Sequence, residues 1–288
     1  MLHILEHTLE HTVEDVIGLL PFLFLTYLIM ELLEHFAGSK LSGKIKNAGK
    51  FGPAWGAVLG VMPQCGFSAA AASFYSGHVI GVGTLIAVFL STSDEMLPIL
   101  LSEAVPIAAI VKILAAKVAI ACVSGFLAEF VYEKIFHKKE KEMDIHVVCE
   151  EEHCSCEDGV FLSAVKHTIK IFIYIFIIAF VLNAVIEVIG EDALSQVFFN
   201  VPVVGQMLAA LVGLIPNCAS SVVITQLYLS GVISAGMMMS GLLVNAGIGT
   251  LILLRLNRNG KQNAGIIGAM YGFGVVWGIL IDLFGIIF

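Results

Sequence analysis

The sequence predicts an all-α, polytopic transmembrane protein, built as two inverted-topology repeats with broken or re-entrant helices and about ten membrane segments. Three observations predict it. Of the 288 residues, 58% are hydrophobic and only 13% are charged, against about a quarter charged in a soluble domain. Apolar runs of span length recur along the chain, interrupted by Pro, Gly and short polar strings. The second half also repeats the first in register.

The composition comes first because it fixes the solvent. With a mean hydropathy of +0.95, the surplus of apolar residues exceeds what a core under a polar shell can hold, so the outer surface must face hydrocarbon. The net charge of -8 arises from acids clustered in two short stretches and carries no basic face, which excludes a nucleic-acid binder. Cys65, Cys122 and Cys218 lie in apolar runs, while Cys149, Cys154 and Cys156 share one charged linker. That grouping suggests reduced thiols or metal ligands rather than a disulfide framework. The opening MLHILEHTLEHTVEDV lacks a basic n-region and a small-residue cleavage site, so the first apolar run is expected to remain as a span.

A span needs about 20 apolar residues. The first is expected near 16–35. A long tract from 52 to 104 follows, broken by Pro63, Gly77, Gly81, Gly83 and the string Ser91-Thr92-Ser93-Asp94-Glu95; the next span is near 106–132. After the linker the pattern restarts with a span near 167–189, a broken tract near 202–254 and a last span near 263–288. The expected division is a first repeat over 1–132, a charged linker over 133–160 and a second repeat over 161–288.

A shift of 153 lays GVMPQCGFS (60–68) on GLIPNCASS (213–221), Tyr75 on Tyr228, Val79-Ile80 on Val232-Ile233 and Gly83 on Gly236. A shift of 156 pairs HTVEDV (11–16) with HTIKIF (167–172), Phe24 with Phe180 and Glu31 with Glu187. Apolar residues align by chance; Pro, Cys, Gly and Tyr at one register do not. Lys40, Lys44, Lys46 and Lys50 place the loop after the first span in the cytoplasm, by the positive-inside rule. Lys134, Lys138, Lys139 and Lys141 place the linker there, and Arg255, Arg258 and Lys261 the loop before the last span. Glu191 and Asp192, with no nearby base, follow the related span of the second half. The halves therefore run in opposite senses, and both termini are expected on the outer side of the cell membrane. An odd number of crossings per half leaves two options for the tract 52–104: three short crossings, or one crossing plus a re-entrant hairpin.

Interrupted helices in inverted repeats expose backbone groups that lipid cannot satisfy, so the interruptions are expected to face a cavity or a substrate. The twin breaks are Pro63-Gln64-Cys65 and Pro216-Asn217-Cys218. If each proline opens a half-helix, its free N–H groups point inward. Gln64, Cys65, Ser68, Asn217, Cys218 and Ser221, with Asn245, are the candidate substrate-binding residues. Packing cysteines at two plain kinks are the alternative. Asp94 and Glu95, with Ser91 and Thr92, are candidates for a metal or coupling ion, because acids inside an apolar tract are costly and usually functional. A loop tip at the membrane surface, where acids are harmless, is the alternative. Under the 153 shift Asp94 and Glu95 fall on Gly247 and Ile248, and Thr92 on Asn245. Asp282 and Lys112 are weaker candidates within spans, and Lys112 and Lys117 are expected to snorkel to an interface.

The linker holds His146, Cys149, His153, Cys154 and Cys156 beside several acids. Thiolate with imidazole suits soft or borderline ions, but the spacing is not that of a closed zinc site; a solvated linker is the alternative. His3, His7 and His11 share one helix face at spacings of four, as a metal pair or an amphipathic helix would.

At LLPFLFLTYLIMELLEH, GVMPQCGFS, STSDEMLP, GLIPNC and NAGIG the chain resembles a family of bacterial and archaeal permeases described as ten-span heavy-metal exporters, also labelled arsenic efflux proteins or manganese transporters. The resemblance covers nearly all of the chain except the linker. It implies export of a metal or metalloid ion. Thiols at half-helix starts suit a thiophilic species such as arsenite; carboxylate and amide oxygens suit hard Mn2+. The expected function is secondary transport by alternating access, with a small organic anion as the alternative cargo and a channel or an intramembrane enzyme as alternative classes. No P-loop is present, so no ATP hydrolysis is expected. The chain is not expected to be an enzyme and needs no cofactor beyond a transported ion. Its expected partners are the bilayer and a small inorganic ion or solute; a homodimer is compatible with the sequence.

Overall fold

The computed structural model describes residues 51–62, 65–93, 96–136, 160–189 and 203–288, together with single helical positions between 13 and 28. The described residues are helical, with no strand among them. In chain order the helices are α1 (Gly52–Gly60), α2 (Cys65–Ser76), α3 (Val82–Ser91), α4 (Met96–Ser102), α5 (Ile107–Phe136), α6 (Val160–Ile189), α7 (Val204–Gly213), α8 (Cys218–Leu229), α9 (Ala235–Val244), α10 (Ile248–Leu256) and α11 (Gly260–Leu283). The span expected near 167–189 thus begins seven residues earlier, at Val160.

Helices α1–α5 and α7–α11 form two matching sets. Adding 153 to the bounds of α2 and α3 reproduces those of α8 and α9, and the same shift carries the first residue of α5 onto that of α11. Among the described residues the tract 52–104 is broken at 61–62, 77–81 and 92–93, and the tract 202–254 at 214–217, 230–234 and 245–247.

Glycines set the directions of packing. On α1, Gly52 faces Thr84, Gly56 faces Thr84 and Val88, and Gly60 faces Val88 and Ser91. One glycine per helical turn gives a flat face that lets backbones approach closely. The pairs advance together along both chains, so α1 and α3 run side by side in the same direction. The chain between them must therefore double back. Helix α2 makes that return, and the end of α1 at Gly60 sits level with the C-terminal end of α3. In the second set Gly213 lies on Gly241, the Gly60–Val88 contact carried over by the 153 shift. Helix α5 runs antiparallel to α3: Gly83 and Gly125 each lie against the other's carbonyl. Gly236 and Gly278, their counterparts, repeat the crossing between α9 and α11.

The two sets interlock. Gly249 of α10 packs against Ser68 of α2 and Phe89 of α3, and α4 packs on α8 in the corresponding way. Among the described residues four stretches are long and apolar enough to cross a membrane: Val82–Ser102, Ile107–Lys134, Ala235–Leu256 and Gly260–Leu283. They differ in environment. Ala235–Leu256 is 94% buried and forms the core, while Gly260–Leu283 is only 28% buried. The outer faces carry Val111, Phe126 and Phe130 of α5 and Ile169, Ile173 and Ile177 of α6, the apolar surface that lipid solvates.

Candidate functional site

The two long broken stretches interrupt near each other. At the end of α3 the Ser91 and Thr92 hydroxyls donate to the Val88 carbonyl at 3.0 and 2.9 Å, and Ser93 donates to the Ser91 carbonyl at 3.0 Å. Short hydroxyl side chains thus compete with the backbone for the acceptors of the last turn, and the helix stops. At the end of α9, Asn245 donates to the Ser220 hydroxyl at 3.1 Å, and its Oδ1 accepts from the Gly247 N–H at 3.0 Å. Gly247 has φ +52°, a left-handed conformation that glycine adopts without strain. Asp94 stands at the counterpart position.

Between the breaks lies a cavity of about 10 Å³, lined by Thr92, Ser93, Lys117, Ser221, Asn245 and Gly247 among others. That is the scale of a single water molecule. Lys117, on α5, is 0% exposed. Its ammonium donates to the Thr92 carbonyl and, at 3.2 Å, to the Leu242 carbonyl. One side chain therefore ties the ends of α3 and α9 together. The expectation that Lys117 snorkels to an interface is corrected here: it is fully buried on the face of α5 turned to α3 and α9, with its ammonium held by their carbonyls. Its counterpart Met270 is also fully buried, so the charge is present in one set only.

Thr92, Ser221 and Asn245 come together around this cavity. Ser91 lies one residue back, beside Gly60. Ser68 is buried against Gly249 of α10. Asn217 is buried in the turn before α8, where its carbonyl accepts from the Ser220 hydroxyl at 2.8 Å. Cys65 and Cys218 are the first residues of α2 and α8; their side chains, and Gln64, Asp94, Glu95, His146, Cys149, His153, Cys154 and Cys156, lie outside the described residues. Among the described residues no three His, Cys, Asp or Glu side chains gather as metal ligands.

Two half-buried carboxylates sit at helix starts: Asp282, a weaker candidate in the sequence, and Glu129, which the sequence reading missed. Glu129 accepts from the Gly83 N–H at 2.5 Å. Its counterpart Asp282 accepts from the Gly236 N–H at 2.8 Å, from Ser234 at 2.6 Å and from Gln206 at 2.5 Å. Each places a carboxylate at the N-terminus of a broken-span helix, where unpaired N–H groups and the helix dipole favour negative charge. The 153 register pairs Glu129 with Asp282 and is the signal that finds them.

The ends differ. At one, Gln262 Nε2 donates to Tyr75 at 2.5 Å and to Tyr132 at 2.9 Å, so that α11 is clasped to α2 and α5. At the counterpart place, around Tyr228, Ser234 and Asp282, there is a recess of about 490 Å³.

A family model described as "Putative, 10TM heavy-metal exporter" matches residues 5–192. The chain belongs to this ten-span exporter family. It is a multi-pass membrane protein, and the matched region takes in the linker, all of α1–α5 and α6. No curated protein and no solved structure matches it. In this member of the exporter family the matched region includes the first interrupted stretch, and the second interrupted stretch lies beyond residue 192.

Proposed function

We propose that the chain is a secondary transporter in the cell membrane that exports a heavy-metal or metalloid ion, Mn2+ or another divalent cation or an arsenite-like species, by alternating access. The observation that carries this reading is the meeting of two interrupted helices, one from each set, at one buried polar cavity. Irregular backbone at membrane depth is tolerated where it lines such a cavity, and transporters bind cargo there.

The two sets are inverted repeats in this reading. Gln262, near the start of α11, touches Tyr132, near the end of α5. Counterpart helices that meet start to end support opposite orientations; repeats of one orientation bring starts to starts. The start of α1, the end of α5 and the start of α11, beside which the sequence carries its basic residues, lie toward the end of this contact. Each repeat then contains a long first span, a re-entrant hairpin (α1–α2 or α7–α8), a broken span (α3–α4 or α9–α10) and a final span. Counting both hairpin limbs gives ten segments, with the linker cytoplasmic and both termini outside.

Alternating access is supported by the difference between the two ends. The Tyr75–Gln262–Tyr132 clasp fills the cytoplasmic end, while its counterpart end holds a 490 Å³ recess. Exchange of these two arrangements moves access to the cavity from one side to the other. Asp94 and Glu95, which follow Ser93 in the chain, are proposed to contribute to ion binding or coupling.

Purified chain in sealed proteoliposomes, offered Mn2+, Zn2+, Cd2+, arsenite and small organic anions, tests the proposal. Saturable flux of a metal or metalloid supports it. Flux of an organic anion alone supports the alternative cargo, non-saturating flux supports a channel, and absence of any flux rejects transport of these solutes.

A further inference from the structure

We propose that Lys117 is a tethered cation holding the place of the cargo, and that the cargo is a hard divalent cation bound by the main-chain carbonyls Lys117 now occupies. This inference rests on the transport reading above and specifies its site.

The argument begins with the carbonyls. At the end of α9 the Ala246 N–H donates to the Val244 carbonyl at 3.0 Å, so the chain leaves the helical pattern and the Leu242 carbonyl accepts from Lys117. The Thr92 carbonyl lies just past the end of α3 and also accepts from Lys117. Both oxygens are at helix C-termini, the negative ends of the helix dipoles. Converging carbonyls of broken helices, with hydroxyl and amide oxygens nearby, form the ligand type that suits hard cations. Ser93, Ser221 and Asn245 supply those further oxygens on the cavity wall. An oxyanion or neutral oxyacid calls instead for converging donors.

Occupancy is exclusive. The cavity holds about 10 Å³, so a second cation in it would lie directly against the ammonium, and like charges at such separation repel. Helices α1, α3, α4, α8 and α9 carry no Asp, Glu, Lys or Arg. The charged groups of α5 other than Lys117 are Lys112, Glu129, Glu133 and Lys134; Glu129 caps α3. On α10 the one charge is Arg255, which stacks over Tyr174. On α11 they are Lys261 and Asp282, of which Asp282 caps α9. Asp94 and Glu95 lie outside the described residues. The second set holds Met270 at the place of Lys117, fully buried, so the corresponding position of this fold accommodates an uncharged side chain of similar length.

The test is Mn2+ binding to the purified full chain by calorimetry, in wild type, Lys117→Met and Lys117→Gln, with flux measured in parallel. Lys117→Met is expected to bind Mn2+ at least about tenfold more tightly while net flux slows, because the cargo no longer has a competitor to release it. Unchanged or weaker Mn2+ binding in a variant that elutes and melts like wild type overturns the proposal. If Lys117→Met does not fold, Lys117→Gln is judged by the same criterion. Wild-type flux of arsenite without any cation, and no gain in Mn2+ binding, rejects the cation cargo while transport stands. Tighter Mn2+ binding in the variant with no wild-type flux keeps the cation site and rejects transport.

Discussion

Trp277 Nε1 donates a 2.9 Å hydrogen bond to Ser124 Oγ, and the two residues are 153 apart, so positions that correspond under the register touch each other. Under a two-fold relation, a point meets its own counterpart only near the axis. The bond therefore marks the line where α5 and α11 pass. Buried hydrogen bonds between membrane helices contribute about 0.6 kcal/mol on average. Trp277→Phe and Ser124→Ala should each destabilise the detergent-solubilised protein by roughly 0.5–1.5 kcal/mol, with the double variant costing less than their sum. Thermal unfolding of the four proteins checks this; full additivity would mean the bond contributes nothing.

Gly125 of α5 lies close against α3, and its counterpart Gly278 of α11 close against α9. A Cβ at Gly125 would meet the Gly83 carbonyl at 2.7 Å, which is backbone and cannot swing aside. Gly125→Leu should lower stability by about 2 kcal/mol or more, since overpacking moves helices apart. Gly265, with open space around it, is the control: Gly265→Ala should leave the unfolding temperature unchanged or slightly higher.

Asp282 accepts three hydrogen bonds at the start of α9. Asp282→Asn removes the charge at the helix N-terminus and turns an acceptor into a donor. A loss of about 1–2 kcal/mol is expected, measured by thermal unfolding. Glu129→Gln should follow in the same direction but less steeply, because the bond from the Gly83 N–H can still be accepted by the amide oxygen. Equal stability of wild type and Asp282→Asn would refute the capping role.

How much of this was legible in the sequence is uneven. The repeat register was, because Pro, Cys, Gly and Tyr recur at one spacing, and the helix bounds follow it. The break at Thr92 and its counterpart Asn245 were visible as polar residues in apolar tracts. The doubling back of α1 and α2 was one of two options the sequence left open, since the choice depends on which face of α1 meets α3. Hydropathy also fails to order the layers: Ala235–Leu256 and Gly260–Leu283 share a mean hydropathy of 1.9, yet one is 94% and the other 28% buried. Lipid is as apolar as a protein core, so composition carries no inside-outside contrast. For the same reason Lys117 read as an interfacial residue; its role depends on its rotational position on α5. Gln262, in a polar loop-like string, carried no signal of the tyrosines it reaches across the molecule.

Gln262→Ala removes the clasp between α11 and the tyrosines of α2 and α5. A cysteine placed at Ser76, beside Tyr75, should then react several-fold faster with a membrane-impermeant thiol reagent applied from the cytoplasmic side. The same rate in both backgrounds would remove the clasp from the account of the closed end.

Opposite orientation of the two halves has its own check. Single cysteines at Lys46 and Glu191 should be labelled from opposite faces of the membrane, Lys46 from the cytoplasm and Glu191 from outside. Labelling of both from one face would make the repeats parallel.

The central claim is that cargo passes through the cavity where the two broken helices meet. Saturable flux through sealed proteoliposomes, compared between wild type and Ser221→Leu, addresses it most directly, because leucine at this position fills the cavity between Thr92 and Asn245. The predicted result is saturable metal or metalloid flux in wild type and a loss of at least about tenfold in a Ser221→Leu protein that still elutes and melts as folded. Undiminished flux in that folded variant would contradict it.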